Sequence, residues 1–264
     1  MAKSIGIIQA RMHSSRLPGK ILAPLADRPL LAQLFARIGS SRLDEWWLAT
    51  SSDPSDDVTE AWGFELGLRV FRGSSGDVLS RFVAIGKETE ADWIVRVTAD
   101  NPFLDAALID ALTDARDSNL EAKQADLIAH RSGLPVAEEQ GDPSVPAKLS
   151  PGLPLGYGVE LVRREALERA AAEIPSDEMH HRTHVTSWFA TQGSSFDVPT
   201  PSGWPDRAAW RWTVEGYEDL AMARSAFRLF GLEAGGIDYP SMVKLLDAHP
   251  EISSMNTHIE CKPI

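Results

Sequence analysis

The chain has 264 residues, 43% of them hydrophobic, with 38 acidic and 26 basic side chains and a net charge of −12. That length suits one large α/β domain with a small extra lobe, and the acidic balance excludes general nucleic-acid binding, which draws most of its affinity from a basic face. The single cysteine, Cys261, rules out an intrachain disulfide and fits a reducing cytosol; no apolar stretch approaches the roughly 20 residues of a membrane span, and charge soon interrupts the first apolar run, so the expectation is a cytoplasmic protein without a signal peptide or a membrane partner.

Ile5–Gln9 reads as a first strand. Apolar residues at helical spacing make Leu30–Ser40 a helix. Trp46–Thr50 is a second strand, followed by the polar loop SSDPSDD and a helix over Val58–Leu66, with Asp56 or Asp57 available as its cap. Arg69–Phe71 is a short third strand and Asp77–Glu88 a third helix. Trp93–Thr98 is a strongly apolar fourth strand; Asp100-Asn101-Pro102 follows it, then a helix over Leu104–Ser118. Residues 131–155 are rich in Pro, Gly and Ser and read as an excursion or flap. Beyond it the pattern predicts a strand at Gly158–Val162, a helix at Arg164–Ile174 and a helix start in EMHHRTHVTSWFATQ. AWRWTVEGYEDLAMARSAF reads as an alternating strand entering a helix near Tyr217, and Tyr239–Ala248 as a last helix. The order predicts a mainly parallel, twisted sheet with helices on both faces, whose ligands bind beyond the carboxyl ends of the strands. Those ends carry Arg11–Lys20, Ser51–Asp53, Arg72–Asp77 and Asp100.

The loop after the first strand, QARMHSSRLPGK, is the main chemical signal. Arg11, Arg16 and Lys20 supply permanent positive charge, Ser14 and Ser15 supply hydroxyls, and Gly19 allows close backbone approach. Charge-assisted hydrogen bonds contribute roughly 1.5–3 kcal/mol each, so the set suits a triphosphate. The spacing is neither a P-loop nor a dinucleotide fingerprint, and the competing reading is a solvated basic loop.

IIQARMHSSRLPGKIL resembles the signature of the cytidylyltransferases that activate acidic sugars, in the branch named after spore coat polysaccharide synthesis protein F. LATSSDPSDD, VFRGSSGDVLSRF, DWIVRVTADNPFLD, GVELVRREALE, HHRTHVT and RWTVEGYEDLAMAR continue the likeness in order, over about residues 4–230. The resemblance implies a Rossmann-like α/β fold of the nucleotide-diphospho-sugar transferase type, with residues 1–264 as one nucleotidyltransferase domain. A lobe at about 131–200 would serve the acceptor and a homodimer contact. It implies transfer of CMP from CTP to an acidic sugar hydroxyl with release of pyrophosphate, for surface polysaccharide or glycoconjugate synthesis. Ala10, Arg11, Ser15, Arg16 and Lys20 then match nucleotide-binding positions, with Arg11, Lys20 and Asp100 as the catalytic set. Arg72, Ser74 and Asp77 fall near the base, with Thr50 and Ser51 beside them; Ser75 or Asp77 is equally suited to cap the following helix.

Asp100 falls at the family's first metal position, which implies Mg²⁺ as the cofactor, and the simpler alternative there is an Asx-turn before Pro102. Two positions depart from the pattern. Glu215 stands where family members carry a second metal-holding aspartate, and Gly158 where close relatives carry an aspartate in the acceptor region. Glu160, Arg182 and His184 are the acceptor-binding candidates. His180 and His184 have helical i, i+4 spacing that could hold zinc, but no HExxH pattern accompanies them. Trp204, Trp210 and Trp212 read as core or interface residues. The rival functions are the same fold with another nucleotide such as GTP, a non-sugar acceptor, or a nucleotide-binding subunit without turnover.

Overall fold

Ile5, Ile7 and Ile8 are fully buried. A strand covered on both faces needs such a continuous apolar run. In the computed structural model, which describes residues 2–130, 152–192, 194–231 and 235–259, that strand, β1 (Ser4–Gln9), is an interior strand of a seven-stranded sheet. Ile5 and Ile7 join Phe82, Ile85 and Leu167 in one apolar cluster, while Ile8 joins Leu34, Leu112 and Phe227 in the other, so each helical layer has its own core. Gly6 is small for a reason: a Cβ there would lie 2.2 Å from the indole of Trp46.

The chain continues through a short hairpin, β2 (Pro24–Leu25) and β3 (Arg28–Pro29), then α1 (Leu30–Ile38), β4 (Glu45–Ser51), α2 (Asp57–Glu65) and β5 (Arg69–Gly73). α3 (Val78–Thr89), β6 (Trp93–Thr98), α4 (Ala106–Ser118), α5 (Leu120–Gln124) and β7 (Leu127–Ala129) follow. The later part holds β8 (Glu160–Arg163), α6 (Arg164–Glu173), α7 (Met179–His184), α8 (Phe189–Gln192), β9 (Ser195–Asp197), α9 (Tyr217–Phe230), α10 (Tyr239–Asp247) and α11 (Pro250–Ser253). Among the described residues no helix is long and apolar enough to cross a membrane.

The sheet order is β5-β4-β1-β6-β8-β7-β9. β5, β4, β1 and β6 are mutually parallel; β8 runs antiparallel to both β6 and β7, and β9 is parallel to β7. This is the predicted Rossmann-like arrangement. The order reverses at β1, which opens a crevice between the carboxyl ends of β1 and β6, the usual ligand position in such sheets. Gln9 pairs with Thr98 across that end.

Three sequence expectations are revised. The segment before α9 is not a strand: it makes one isolated bridge, between Leu155 and Arg211. Its alternation is broken because Arg211, Trp212, Thr213 and Val214 are all buried, with Trp212 stacked on Phe103 at a centroid distance of 4.9 Å. The Val214 amide donates to the Asp100 carbonyl at 2.8 Å, which draws Glu215 toward the end of β6. The strand expected at Gly158–Val162 begins only at Glu160, and the helix expected at Leu104 begins at Ala106, where Asp105 caps it by accepting from the Leu108 amide at 3.0 Å. Most of the Pro-rich excursion, residues 131–151, and Cys261 lie outside the described residues.

Candidate active site

The loop after β1 is held from beneath. Asp56 is fully buried and accepts from the Met12 amide at 2.6 Å, from the Thr59 hydroxyl at 3.1 Å and from the Ser51 hydroxyl. It makes no bond to a helix-terminal amide, so its work is to brace the loop rather than to cap α2. At the far end the Gly19 amide donates to the Met12 carbonyl at 2.9 Å, with φ of +73° at Gly19. That left-handed turn is what the glycine supplies. It starts a 3₁₀ turn over Lys20–Leu22, and buried Leu17 and Ile21 pin the strip between.

The loop forms one wall of a cleft of about 230 Å³, lined also by Gln9, Ala10, Val78, Arg81, Thr98, Ala99, Asp100, Thr183, His184 and Glu215. The loop itself contributes Arg11, His13, Ser14, Ser15, Arg16, Lys20 and Ile21. Ala10, Arg11, Ser15, Arg16, Lys20, Asp100, His184 and Glu215 are thereby brought together.

At one end cations meet carboxylates. Lys20 Nζ lies 2.6 Å from Asp100 Oδ2 and donates to the Val214 carbonyl at 2.9 Å. Burial alone would raise the Asp100 pKa; the charge and hydrogen bond of Lys20, with a bond from Thr98, outweigh it and hold the carboxyl below its ordinary value. Arg16 forks onto Glu215, with Nη1 to Oε2 at 2.7 Å and Nη2 to Oε1 at 2.8 Å. Arg211 Nη2 reaches the same Oε2 at 2.5 Å.

At the other end the cations meet only carbonyls. Arg81 is 1% exposed and donates to the carbonyls of Ser74 at 2.7 Å, Ser75 at 3.1 Å and Ala49 at 3.4 Å. Arg11 donates to the Ser75 carbonyl at 3.4 Å. Burial, then the neighbouring charge of Arg11, pushes the Arg81 pKa down to about 10.

Several expected site residues do not line this cleft. Arg72 pairs with Asp57 at 2.7 Å and Glu60 at 2.9 Å and donates to the carbonyls of Ser51 and Asp53, so it ties β5 to the loop after β4 and does not line this cleft. Asp77 caps α3 through the Ser80 amide at 3.0 Å and pairs with Arg182 at 2.8 Å, while the Ser74 hydroxyl accepts from the Asp77 amide at 3.1 Å. Thr50 and Ser51 are buried beneath the loop. Arg182 also donates to the carbonyls of Ala171, Ile174 and Pro175; it latches α7 onto the start of α3. Glu160 is paired with Arg96 at 2.7 Å and accepts from Thr186 at 2.8 Å. His184 lines the cleft with its ring 4.8 Å from that of His180; burial, followed by the charges of His180, Arg96 and Arg11, lowers its pKa. Trp212 is buried and Trp204 stacks on Tyr239 at 4.7 Å, as core residues do.

Gln9, His13, Arg81, Thr98 and Thr183 line the cleft without having been singled out. For Arg81 a signal existed: it falls on the stripe of α3 that buries Val78, Phe82 and Ile85, where a charged residue needs an explanation.

A divalent cation can be tested against the donors present. Asp100 gives one hard carboxylate in the cleft, with a side chain 24% exposed. Among the described residues no group of three or more His, Cys, Asp or Glu side chains gathers in a metal-holding cluster, which also leaves the histidines of α7 without a zinc cage. Mg²⁺ needs no protein cage, since one carboxylate plus phosphate oxygens and water is its usual shell, so Asp100 fits. Glu215 fits poorly, because two guanidiniums already neutralise it.

A cation-rich loop after the first strand, a carboxylate after the fourth parallel strand and a cleft at the switch point are the parts a nucleotidyltransferase needs. Residues 5–138 match the model of the cytidylyltransferase family. The spore coat polysaccharide biosynthesis protein SpsF of Bacillus subtilis (strain 168) is 45% identical over 256 residues, covering 94% of this chain and 95% of that protein. A cytidylyltransferase from Leptospira borgpetersenii serovar Hardjo-bovis (strain JB197) has the same fold over 100% of both chains, with TM-score 0.81 and 23% identity. A CMP:2-keto-3-deoxy-manno-octonic acid synthetase, solved in complex with CTP, shares the fold at TM-score 0.57 and 18% identity over 86% of this chain and 99% of that one. This chain belongs to the cytidylyltransferase family.

Proposed function

We propose that the chain transfers CMP from CTP to a hydroxyl of an acidic sugar and releases pyrophosphate, in the synthesis of a surface polysaccharide or glycoconjugate. One observation carries the reading: Lys20 Nζ sits 2.6 Å from Asp100 Oδ2 in a cleft also lined by Arg11, Ser15 and Arg16. The likeness to SpsF and the CTP bound to the octonic acid synthetase support the nucleotide and the sugar class.

Arg11, Ser15 and Arg16 hold the triphosphate, and Lys20 faces the α-phosphoryl group and the leaving pyrophosphate. Charge develops there in the transition state, and a preorganised ammonium lowers the barrier most at that point. Asp100 would hold Mg²⁺, which when bound offsets further phosphate charge. The acceptor enters from the side of Thr183 and His184. The neutral His184 ring and the Glu160–Arg96 pair leave Arg11 and Arg81 as the positive field an anionic sugar meets.

The test is pyrophosphate release by the pure protein with Mg²⁺, each of CTP, GTP, UTP and ATP, and a panel of acidic sugars. Release is expected with CTP and a sugar acid, and its loss in Asp100→Ala ties it to this cleft. Release with another nucleotide alone would refute the cytidylyl reading.

A further inference from the structure

Glu215 stands at a place where a metal-holding carboxylate is anticipated, yet its surroundings are those of a counter-ion. Both its oxygens accept from Arg16, in a two-pronged contact at 2.7 and 2.8 Å. Behind it lies a rigid anchor. Arg211, 4% exposed, bonds Glu215 at 2.5 Å and Asp219 at 2.8 Å, and Asp219 is itself 1% exposed. Asp219 also accepts from the amides of Glu215 at 2.9 Å and Gly216 at 3.0 Å and from the Asn256 side chain at 2.9 Å. Burial works against the Arg211 charge, but hydrogen bonds and charge from Asp219 and Glu215 more than compensate and hold its pKa above the ordinary guanidinium value.

The two arginines on Glu215 therefore differ. Arg211 is fixed in the protein interior; Arg16 is 54% exposed, on a loop that lines the cleft. A cation bound to Glu215 would have to compete with both guanidiniums. A polyanion entering the cleft needs to draw away only Arg16, and Glu215 keeps its neutralising partner when it does.

We propose that Glu215 is a positioning residue for Arg16 rather than a metal ligand: it parks the Arg16 guanidinium beside the cleft, and an incoming triphosphate takes Arg16 from it. This rests on the reading of Arg16 as a triphosphate ligand. The exchange costs the Arg16–Glu215 pair, so the resting protein binds a triphosphate more weakly than its cation count suggests. The consequence is independent of any metal.

The experiment is calorimetric titration of the full chain in EDTA with CTP and, separately, with inorganic tripolyphosphate, using wild type, Glu215→Gln, Arg16→Gln and the double variant. A partly exposed two-pronged pair predicts about 3- to 5-fold tighter binding of both probes to Glu215→Gln. Removing a negative charge would tighten binding a little by itself, so the Arg16→Gln background is decisive: there the same substitution is expected to change affinity by less than about 2-fold. An equal gain in both backgrounds, or no gain in either, overturns the proposal. So does a loss of affinity in Glu215→Gln that appears only when the titrations are repeated with Mg²⁺ in place of EDTA, which would assign Glu215 to the metal. Binding of tripolyphosphate without CTP would sink the cytidine reading while leaving the parking role measured; binding of neither probe would sink both. Arg211 retains Asp219 in the variant, so folding is expected to survive. Should Glu215→Gln fail to fold, Glu215→Asp, which keeps charge for Arg211 but shortens the reach to Arg16, is expected to tighten tripolyphosphate binding likewise, and unchanged binding contradicts the idea.

Discussion

The two ends of the cleft hold the same kind of charge in opposite ways. Near β6, Lys20 and Arg16 rest on Asp100 and Glu215. Near α3, Arg11 and Arg81 rest on backbone carbonyls, and among the described residues neither has a carboxylate within ion-pair distance. A carbonyl supplies a partial charge and an oriented hydrogen bond, so it fixes a guanidinium without cancelling it. One end is neutral at rest and gives up its cations by exchange; the other carries a standing positive field. An acidic chain can in this way draw in a polyanion locally.

The sharpest way to break that contrast is Lys20→Ala. Loss of one preorganised donor at the reacting phosphoryl predicts a fall in the rate of pyrophosphate release of about 10²–10³, read from kcat. A fall of less than tenfold would mean that Lys20 serves only to satisfy Asp100.

Acid separates the fold from the cleft. His130, just after β7, is 3% exposed and does not line the cleft, and burial lowers its pKa to about 4 from 6.5, with only the Val198 carbonyl working the other way. The folded state thus prefers the neutral ring. Its contribution is fully present above pH 6.5 and is lost as pH falls toward 4, on the order of 3 kcal/mol. Urea unfolding from pH 7 to 4 is expected to show this limb in wild type and a flatter one in His130→Gln.

Arg81→Met keeps length and burial but removes the charge. Nucleotide affinity is expected to fall by about 10-fold in EDTA, because a charge beside the cleft rather than a direct contact is lost, with the titration calorimeter as the check. Affinity within 2-fold of wild type would make Arg81 a loop brace only, and the standing field would then rest on Arg11 alone. The smallest effect belongs to the exposed Arg11: Arg11→Gln is expected to weaken binding about 3- to 10-fold and to reduce its salt dependence between 50 and 300 mM salt. Unchanged salt dependence would remove Arg11 from the field.

The parallel half of the sheet and the loop after β1 were legible because they are local: an apolar run, a cluster of cations and a glycine lie within a few positions of each other. The pairs that give the cleft its character are not local. Arg16 and Glu215 are 199 positions apart, and the Asp56 that braces Met12 is 44 positions away from it. Asp56 was legible as an acidic residue at a helix start, and Arg72 as a cation in a base-side loop, but their partners belong to neighbouring elements. Glu60 sits on α2 and takes Arg72 out of the cleft. The segment before α9 mimicked a strand because its alternation of types was real, while burial on every side removed the meaning of that alternation.

The most direct measurement is a crystal structure of the chain with CTP bound. Phosphate oxygens are expected on Arg11, Arg16 and Lys20, with the Arg16–Glu215 pair broken and Glu215 still on Arg211. A triphosphate seated elsewhere, with Arg16 still forked onto Glu215, would contradict that expectation.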